Sequence, residues 1–113
     1  MEWLNSSRLD TLTELRHALH GCAELSEHEF ETSEKTLDWL KQWSPDRLIH
    51  PLGPTGVAAV FEGQRAGPTV VFRCELDGLA IPETISPAWA SRNDGVSHKC
   101  GHDGHMSVLA GMA

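Results

Sequence analysis

The segment HKCGHDGH, residues 98–105, concentrates the side chains that could do chemistry. It holds three histidines, one cysteine and one aspartate within eight residues. Thiolate and imidazole are a preferred ligand pair for Zn and related divalent ions. Because residues two apart face the same side of an extended segment, Cys100 and His102 would point together, with His98 as a further candidate. The spacing predicts a divalent-metal site centred on Cys100 and His102.

Neighbouring residues would support such a site. Gly101 would let the backbone fold close to an ion, and Asp103 could orient a ligating imidazole from behind. Asp103 is also a candidate N-cap for an apolar helix that begins at HMSVLAGMA and is expected to run to the last residue. The N-terminus of this helix would favour the thiolate form of Cys100. His105, one turn into the helix, could hydrogen-bond near the site.

Other interpretations of these residues stay open. A Cys-x-His pair often occurs by chance and binds nothing. A redox role for Cys100 lacks a nearby resolving cysteine, since Cys74 is expected to face the apolar side of a strand. Cys22 and Cys74 lie in apolar patterns typical of small core residues. The odd number of cysteines and the N-terminus MEWLNSSRLD, which has no secretory pattern, argue against a disulfide framework and favour the cytoplasm.

Two helices are predicted before the first strands. Apolar residues recur at spacings of three and four over residues 6–20, and Gly21 is a plausible stop. Ser26 and Glu29 have the spacing of a capping box, which predicts that a second helix begins there. This helix should present a stripe and end at Pro45. The members of the stripe are Phe30, Ser33, Leu37 and Leu40.

Three extended segments follow, RLIHPL, VAAVFEG and GPTVVFRCEL, separated by turn residues. Two helices, two or three strands and a further helix predict an α/β fold with a mixed sheet. In the last strand Val70, Phe72 and Cys74 would lie on one face, with Glu75 and Asp77 on the other. Asp77 would then stand at the end of the strand where α/β proteins bind ligands, although the pattern alone equally fits a solvated acid in a turn. The long loop at 78–97 is expected to be functional or disordered.

Composition excludes some classes of function. The chain has 113 residues, enough for one small domain, and 16 acidic against 9 basic residues give a formal net charge of −7. A polyanionic partner would be repelled, so nucleic acid is not expected. No apolar run approaches the length of a membrane span.

Four motifs together resemble one family. The segments LRHALHGCAELSEHEFET, GPTGVAAVFEG, GPTVVFRCELDGLAIPE and GVSHKCGHDGHMSVLAGMA occur in this order in metal-dependent amidohydrolases. The chain is similar to the aminoacylase, hippurate hydrolase and auxin-conjugate hydrolase branch of the zinc aminoacylase–carboxypeptidase superfamily. The resemblance covers nearly the whole chain, and its most specific pieces are ELDGLAIPE and CGHDGHM.

The resemblance implies a fold and a site. Residues 1–113 would be the incomplete N-terminal part of a single metallohydrolase catalytic domain. Cys100 and His102 would ligate a centre of two divalent ions, Zn or Mn, with Ni or Co as alternatives, and Asp77 would support catalysis beside them. A Glu–Glu pair and two further histidines of the family have no counterpart here. His20 would be a structural hydrogen-bonding residue.

The implied activity is hydrolysis of N-acyl amino acids or similar small amides by a metal-activated water. The full-length protein could form a homo-oligomer, and the chain alone would be inactive. The departures from the family pattern are Ala23 and Ala80 in place of Pro, Glu75 in place of Asp, and Lys99 in place of a small residue. None removes an expected ligand. A truncated, non-catalytic protein that binds a metal or a partner is the alternative.

Overall fold

A computed structural model describes residues 5–113, so the first four residues of the N-terminal segment discussed above lie outside it. The element order is α1 (Ser6–Gly21), α2 (Phe30–Lys41), β1 (Arg47–Leu52), β2 (Gly56–Val60) and α3 (His102–Ala110). This order confirms the α/β class and the two leading helices. None of the described helices has the length and apolar character that a bilayer crossing requires.

Helix α1 forms where the apolar spacing places it. Its first turn is closed by Asn5, whose side chain accepts a hydrogen bond from the Arg8 amide at 2.9 Å. The helix ends at Gly21, as predicted, and its last turn is buried with Leu19 at 1% exposure. Leu9, in contrast, is half exposed, because only the C-terminal part of α1 is enclosed by the rest of the chain.

The predicted capping box at the start of α2 is wrong. The helix begins at Phe30, and its free amides are met by Glu24, whose carboxylate accepts from Glu31 at 3.0 Å and from Thr32 at 2.8 Å. Glu29 instead accepts a bond from the buried Thr55 hydroxyl at 2.7 Å. A carboxylate arriving from the preceding turn satisfies the same orphan donors as a local cap and adds a favourable charge at the helix N-terminus.

The sheet in the described residues has two strands rather than three. β1 and β2 pair antiparallel, with Arg47 opposite Val60 and Leu52 opposite Gly56. The segment at 68–77 is not a strand, and within residues 5–113 none of its backbone amides donates a hydrogen bond. Val70 and Phe72 of the expected apolar face are largely exposed, and only Cys74, nearer the end of the segment, is half-buried. A strand needs a neighbouring strand, and neither β1 nor β2 pairs with this segment.

The long loop at 79–97 is fixed to the rest of the molecule rather than loose. Leu79 and Ser97 close its base through two backbone hydrogen bonds. The amide of Arg92 donates to the Gly21 carbonyl at 2.9 Å, and Asn93 donates through its side chain to the Ala23 carbonyl at 2.8 Å. The loop therefore covers the C-terminal end of α1.

Helix α3 packs against α1 and closes the fold. Trp39 of α2 is buried and donates its indole N–H to the Ala110 carbonyl at 3.2 Å. The helix ends at Ala110 and does not reach the last residue, contrary to the expectation from its apolar sequence. The start of α3 is thereby held between α1, the loop and the end of segment 68–77.

Candidate metal centre

The backbone turns sharply between the two predicted ligands. Gly101 has φ +90°, a left-handed conformation that glycine adopts without steric cost, and α3 begins at the next residue. Residues 98–102 are therefore not extended, so the alternation of a strand does not place Cys100 and His102 on one face. Cys100 is exposed and has no hydrogen bond within the described residues. Its metal ligation remains a prediction from the resemblance.

His102 is oriented by the end of segment 68–77. Its Nδ1 lies 2.9 Å from the main-chain carbonyl oxygen of Asp77 and 3.2 Å from Oδ1 of the same residue. A carbonyl oxygen only accepts, so Nδ1 carries the proton and donates. In the neutral ring Nε2 then keeps its lone pair. Metal-ligating histidines in proteins are commonly held in this way, with the second ring nitrogen donating to a carbonyl or carboxylate.

The free nitrogen of His102 faces other donors. Nε2 lies 3.9 Å from Oε2 of Glu75, and the ring of His105 lies 5.9 Å away, centroid to centroid. One ligand atom from each of these three residues lies within 4.8 Å of the other two. Glu75, His102 and His105 are thus the residues that the described chain brings into metal-binding proximity.

The sequence does not predict this trio as a unit. It indicates Glu75 as a departure from the family pattern and a candidate general base, and His105 as a hydrogen-bonding neighbour with ligation as the alternative. A signal was present, because His102 and His105 are three residues apart on a predicted helix and side chains at that spacing are neighbours. The proximity of Glu75 to these histidines follows only from the path of segment 68–77 in the structure.

Behind this cluster lies a buried network of acids and bases. His20 of α1 places Nδ1 3.0 Å from the Asp103 carboxylate and Nε2 2.7 Å from the Glu83 carboxylate. Both contacts are hydrogen bonds when both ring nitrogens carry a proton. Lys99 donates to the second oxygen of Glu83, and Arg16 lies 3.3 Å from Asp103. His20 is therefore a hydrogen-bonding residue that joins α1, the loop and α3.

The two carboxylates of this network are stabilised in their charged form. The hydrogen bond from Lys99 lowers the pKa of Glu83 to about 2, with further bonds from His20 and the Ser91 amide, against an opposing effect of desolvation. Burial would raise the pKa of Asp103, but the hydrogen bond to His20 and nearby positive groups outweigh it, so the net shift is downward. Both acids are anionic at neutral pH.

Two expectations about Asp103 are wrong. It makes no N-cap hydrogen bond at the start of α3, where Gly101 occupies the N-cap position. It also does not orient His102, because its carboxylate is only 1% exposed and is turned toward His20 and Arg16. The carbonyl of Asp77 orients His102 instead. A polar residue next to a helix start can serve as a buried anion when a cation from another helix reaches it.

His98 is buried beside this network. Its ring lies 6.0 Å from that of His20, centroid to centroid, and neither ring nitrogen has a hydrogen-bond partner within the described residues. Burial lowers the pKa of His98, so the neutral ring is favoured. Of the residues predicted from sequence, the structure therefore joins Asp77 and His102, leaves Cys100 at the surface and encloses His98.

Comparisons with known proteins agree with the resemblance found in the sequence. No family model matches the chain. The chain is 38% identical over 102 residues to the N-acetylcysteine deacetylase of Bacillus subtilis strain 168. The aligned region covers 90% of this chain and 27% of that protein. It is 38% identical over 106 residues to an N-acyl-L-amino acid amidohydrolase of Geobacillus stearothermophilus, with 94% and 28% covered.

A solved structure has the same fold. A dinuclear metal-binding peptidase of the M20 family from Bacillus subtilis superimposes with a TM-score of 0.88 and 35% identity, over 94% of this chain and 30% of that one. The chain thus spans under a third of the length of the relatives it matches. It is similar to the two bacterial enzymes in sequence and to the solved peptidase in both sequence and fold.

Proposed function

We propose that this chain is the N-terminal part of a metal-dependent amidohydrolase catalytic domain that acts on N-acyl amino acids or similar small amides. The relation to bacterial deacetylases and to an M20 peptidase supports this proposal. The observation that carries it is the orientation of His102, whose Nδ1 is held by the Asp77 carbonyl so that Nε2 is available to a metal.

The proposed site has Cys100 and His102 as ligands of a centre of two divalent ions, Zn or Mn. When bound, such ions supply Lewis-acid polarisation of the amide carbonyl and a water of lowered pKa. This donor set fits that role, because imidazole and thiolate are ligands of such ions. The general base would be a glutamate in the rest of the domain.

Asp77 is the proposed catalytic residue of this chain. Its side chain is 26% exposed and lies 3.2 Å from the His102 ring, so it stands at the edge of the site while remaining accessible. A carboxylate in this position would accept a hydrogen bond from a water or a substrate N–H. A groove that is open to solvent is lined by Glu75, His105, Arg73 and less polar residues of segment 68–77 and of the C-terminal part of the chain.

The buried network keeps the site in place. Lys99 and His20 hold Glu83, and His20 also holds Asp103, which directly follows His102 in the chain. These bonds fix the first turn of α3 against α1 and the loop. His102 is thereby presented from a rigid element, as a preorganised site requires.

A chimera tests the proposed function. These 113 residues would replace the matching segment of the Bacillus subtilis N-acetylcysteine deacetylase, and hydrolysis of N-acetyl amino acids would be measured with added Zn or Mn. We expect hydrolysis that falls by at least about 100-fold in Cys100→Ser and in His102→Gln, because each removes a ligand. Cys74→Ser and His28→Gln are the matched controls and should keep the activity.

Two results would contradict the proposal. One is a folded, metal-loaded chimera that hydrolyses none of the N-acetyl amino acids. The other is a chimera in which Cys100→Ser is as active as Cys74→Ser. Circular dichroism and metal analysis of each protein separate these results from a failure to fold or to load metal.

We also propose a cytoplasmic location. Cys22, Cys74 and Cys100 are all unpaired thiols in the structure, and unpaired thiols are typical of proteins in a reducing compartment. Fractionation of cells that express the protein, with cytoplasmic and periplasmic marker enzymes, would check this. Recovery with the periplasmic marker would contradict it.

A further inference from the structure

Three metal-ligand side chains meet at the open side of α3. His102 and His105 come from the first turn of the helix, and Glu75 comes from segment 68–77. Two imidazole nitrogens and one carboxylate oxygen are a common ligand set for Zn and for neighbouring transition ions. Cys100 is not a member of this set.

The atoms of the trio are disposed for a shared ion. Nδ1 of His102 is occupied by the Asp77 carbonyl, and Nε2 is the atom that faces Glu75. Arg73 donates to Oε1 of Glu75 at 2.8 Å, which leaves Oε2 as the oxygen 3.9 Å from Nε2. Each of these two ligands thus has one atom engaged behind it and one atom directed at the common space.

The spacing is close to what an ion needs. Ligands about 2.1 Å from a tetrahedral ion lie about 3.4 Å from one another. The three donor atoms already lie within 4.8 Å of each other, and the His102–Glu75 pair is nearer still. The Glu75 side chain is 42% exposed and His105 is exposed, so small rotations close the remaining gap without disturbing the core.

We propose that Glu75, His102 and His105 form a three-ligand site for one divalent ion of the Zn, Co or Ni type, and that this chain binds the ion without Cys100. The fourth position faces the solvent-open groove and is left for water. The site uses His102 but neither the thiol nor any residue outside this chain. Because both sites would use Nε2 of His102, the trio is proposed for this chain by itself, and its binding test does not depend on the proposed amidohydrolase activity.

The test uses the 113-residue chain and Co²⁺ as the probe, followed by absorption spectroscopy and calorimetry. We expect one Co²⁺ per chain, visible bands of a low-coordinate ion, and no thiolate charge-transfer band in the near ultraviolet. Cys100→Ser should bind within about twofold of the unsubstituted chain. Glu75→Gln and His105→Gln should each weaken binding by at least about 10-fold, since losing a ligand costs no less than losing its hydrogen-bond support.

Two variants serve as controls for the Co²⁺ binding measurement. Glu14→Gln and His28→Gln change exposed residues of the same types elsewhere and should leave binding unchanged. A thiolate band in the unsubstituted chain, with loss of both that band and Co²⁺ binding in Cys100→Ser, would overturn the proposal. Unchanged Co²⁺ affinity in Glu75→Gln and His105→Gln would also overturn it. A folded chain that binds no Co²⁺ would also overturn it. Alkylation of Cys100 repeats the comparison without a substitution.

Discussion

The two sides of helix α3 are built differently. On the buried side, His20 contacts two carboxylates that come from parts of the chain 63 and 83 residues away, and all three side chains are nearly enclosed. On the open side, Glu75 and His105 are exposed, and segment 68–77 donates no backbone amide hydrogen bond within the described residues. The chain thus fixes the position of α3 by itself but leaves the second wall of the site weakly supported.

Removing the central histidine should break the buried side most severely. His20→Ala removes the imidazole between Asp103 and Glu83, which keep Arg16 and Lys99 as their other partners, and loss of a hydrogen bond to a charged group costs about 1.5–3 kcal/mol. We expect the free energy of unfolding in urea, followed by circular dichroism, to fall by that amount. The control His28→Ala, at an exposed position, should change it by less than about 0.5 kcal/mol. Similar losses in both variants would show that the network does not stabilise the fold.

Acid should weaken the same side. Glu83 has an ordinary pKa of 4.5 and a folded value of about 2, so between these values the unfolded chain binds a proton that the folded chain does not. The free energy of unfolding should therefore fall as the pH decreases through that window. In Glu83→Gln this contribution is absent, and the slope should be shallower than in the exposed control Glu14→Gln. Equal slopes in urea titrations from pH 5 to pH 2 would contradict the assignment.

The attachment of the loop should contribute less. Asn93→Ala removes a side-chain donor to the carbonyls of Ala23 and Cys22, at 2.8 and 3.4 Å. Loss of such a bond costs about 0.5–1.5 kcal/mol. The same urea measurement should show this intermediate loss, with Asp94→Ala, an exposed neighbour, as the reference. A loss as large as that of His20→Ala would mean that the loop, not the network, holds α3.

The open side should tolerate change most readily. Val71 is 81% exposed in a segment without strand pairing, so Val71→Thr should alter the free energy of unfolding by less than about 0.5 kcal/mol. Ala58→Thr, in the paired and half-buried strand β2, provides the comparison and should cost more. A cost at Val71 that equals or exceeds the cost at Ala58 would show that segment 68–77 is packed.

The features that depend on local sequence were predicted well. The span of α1 follows from apolar spacing and from Gly21, which lie within the helix itself. The start of α2 was not predicted, because Glu24 reaches its amides from outside the local capping pattern. The third strand was not observed, because alternation alone does not supply a pairing partner.

The site was predictable in its residue types but not in its contacts. The cluster at 98–105 signalled metal chemistry, and His102 is oriented as a ligand would be. The partners of Asp103 and His102 were not visible, since they lie 83 and 25 residues away in the chain. The roles of Glu75 and His105 likewise depend on how the end of segment 68–77 passes α3.

The contact between His102 and residue 77 separates the orientation of the imidazole from the chemistry of the Asp77 carboxylate. The atom that fixes the tautomer is a main-chain oxygen, which every amino acid possesses, so the imidazole keeps its alignment whatever side chain follows Leu76. Replacing Asp77 by alanine would delete the carboxylate and spare the alignment. The course of the main chain therefore determines which ring nitrogen carries the proton. The side chain of residue 77 remains available for the reaction itself.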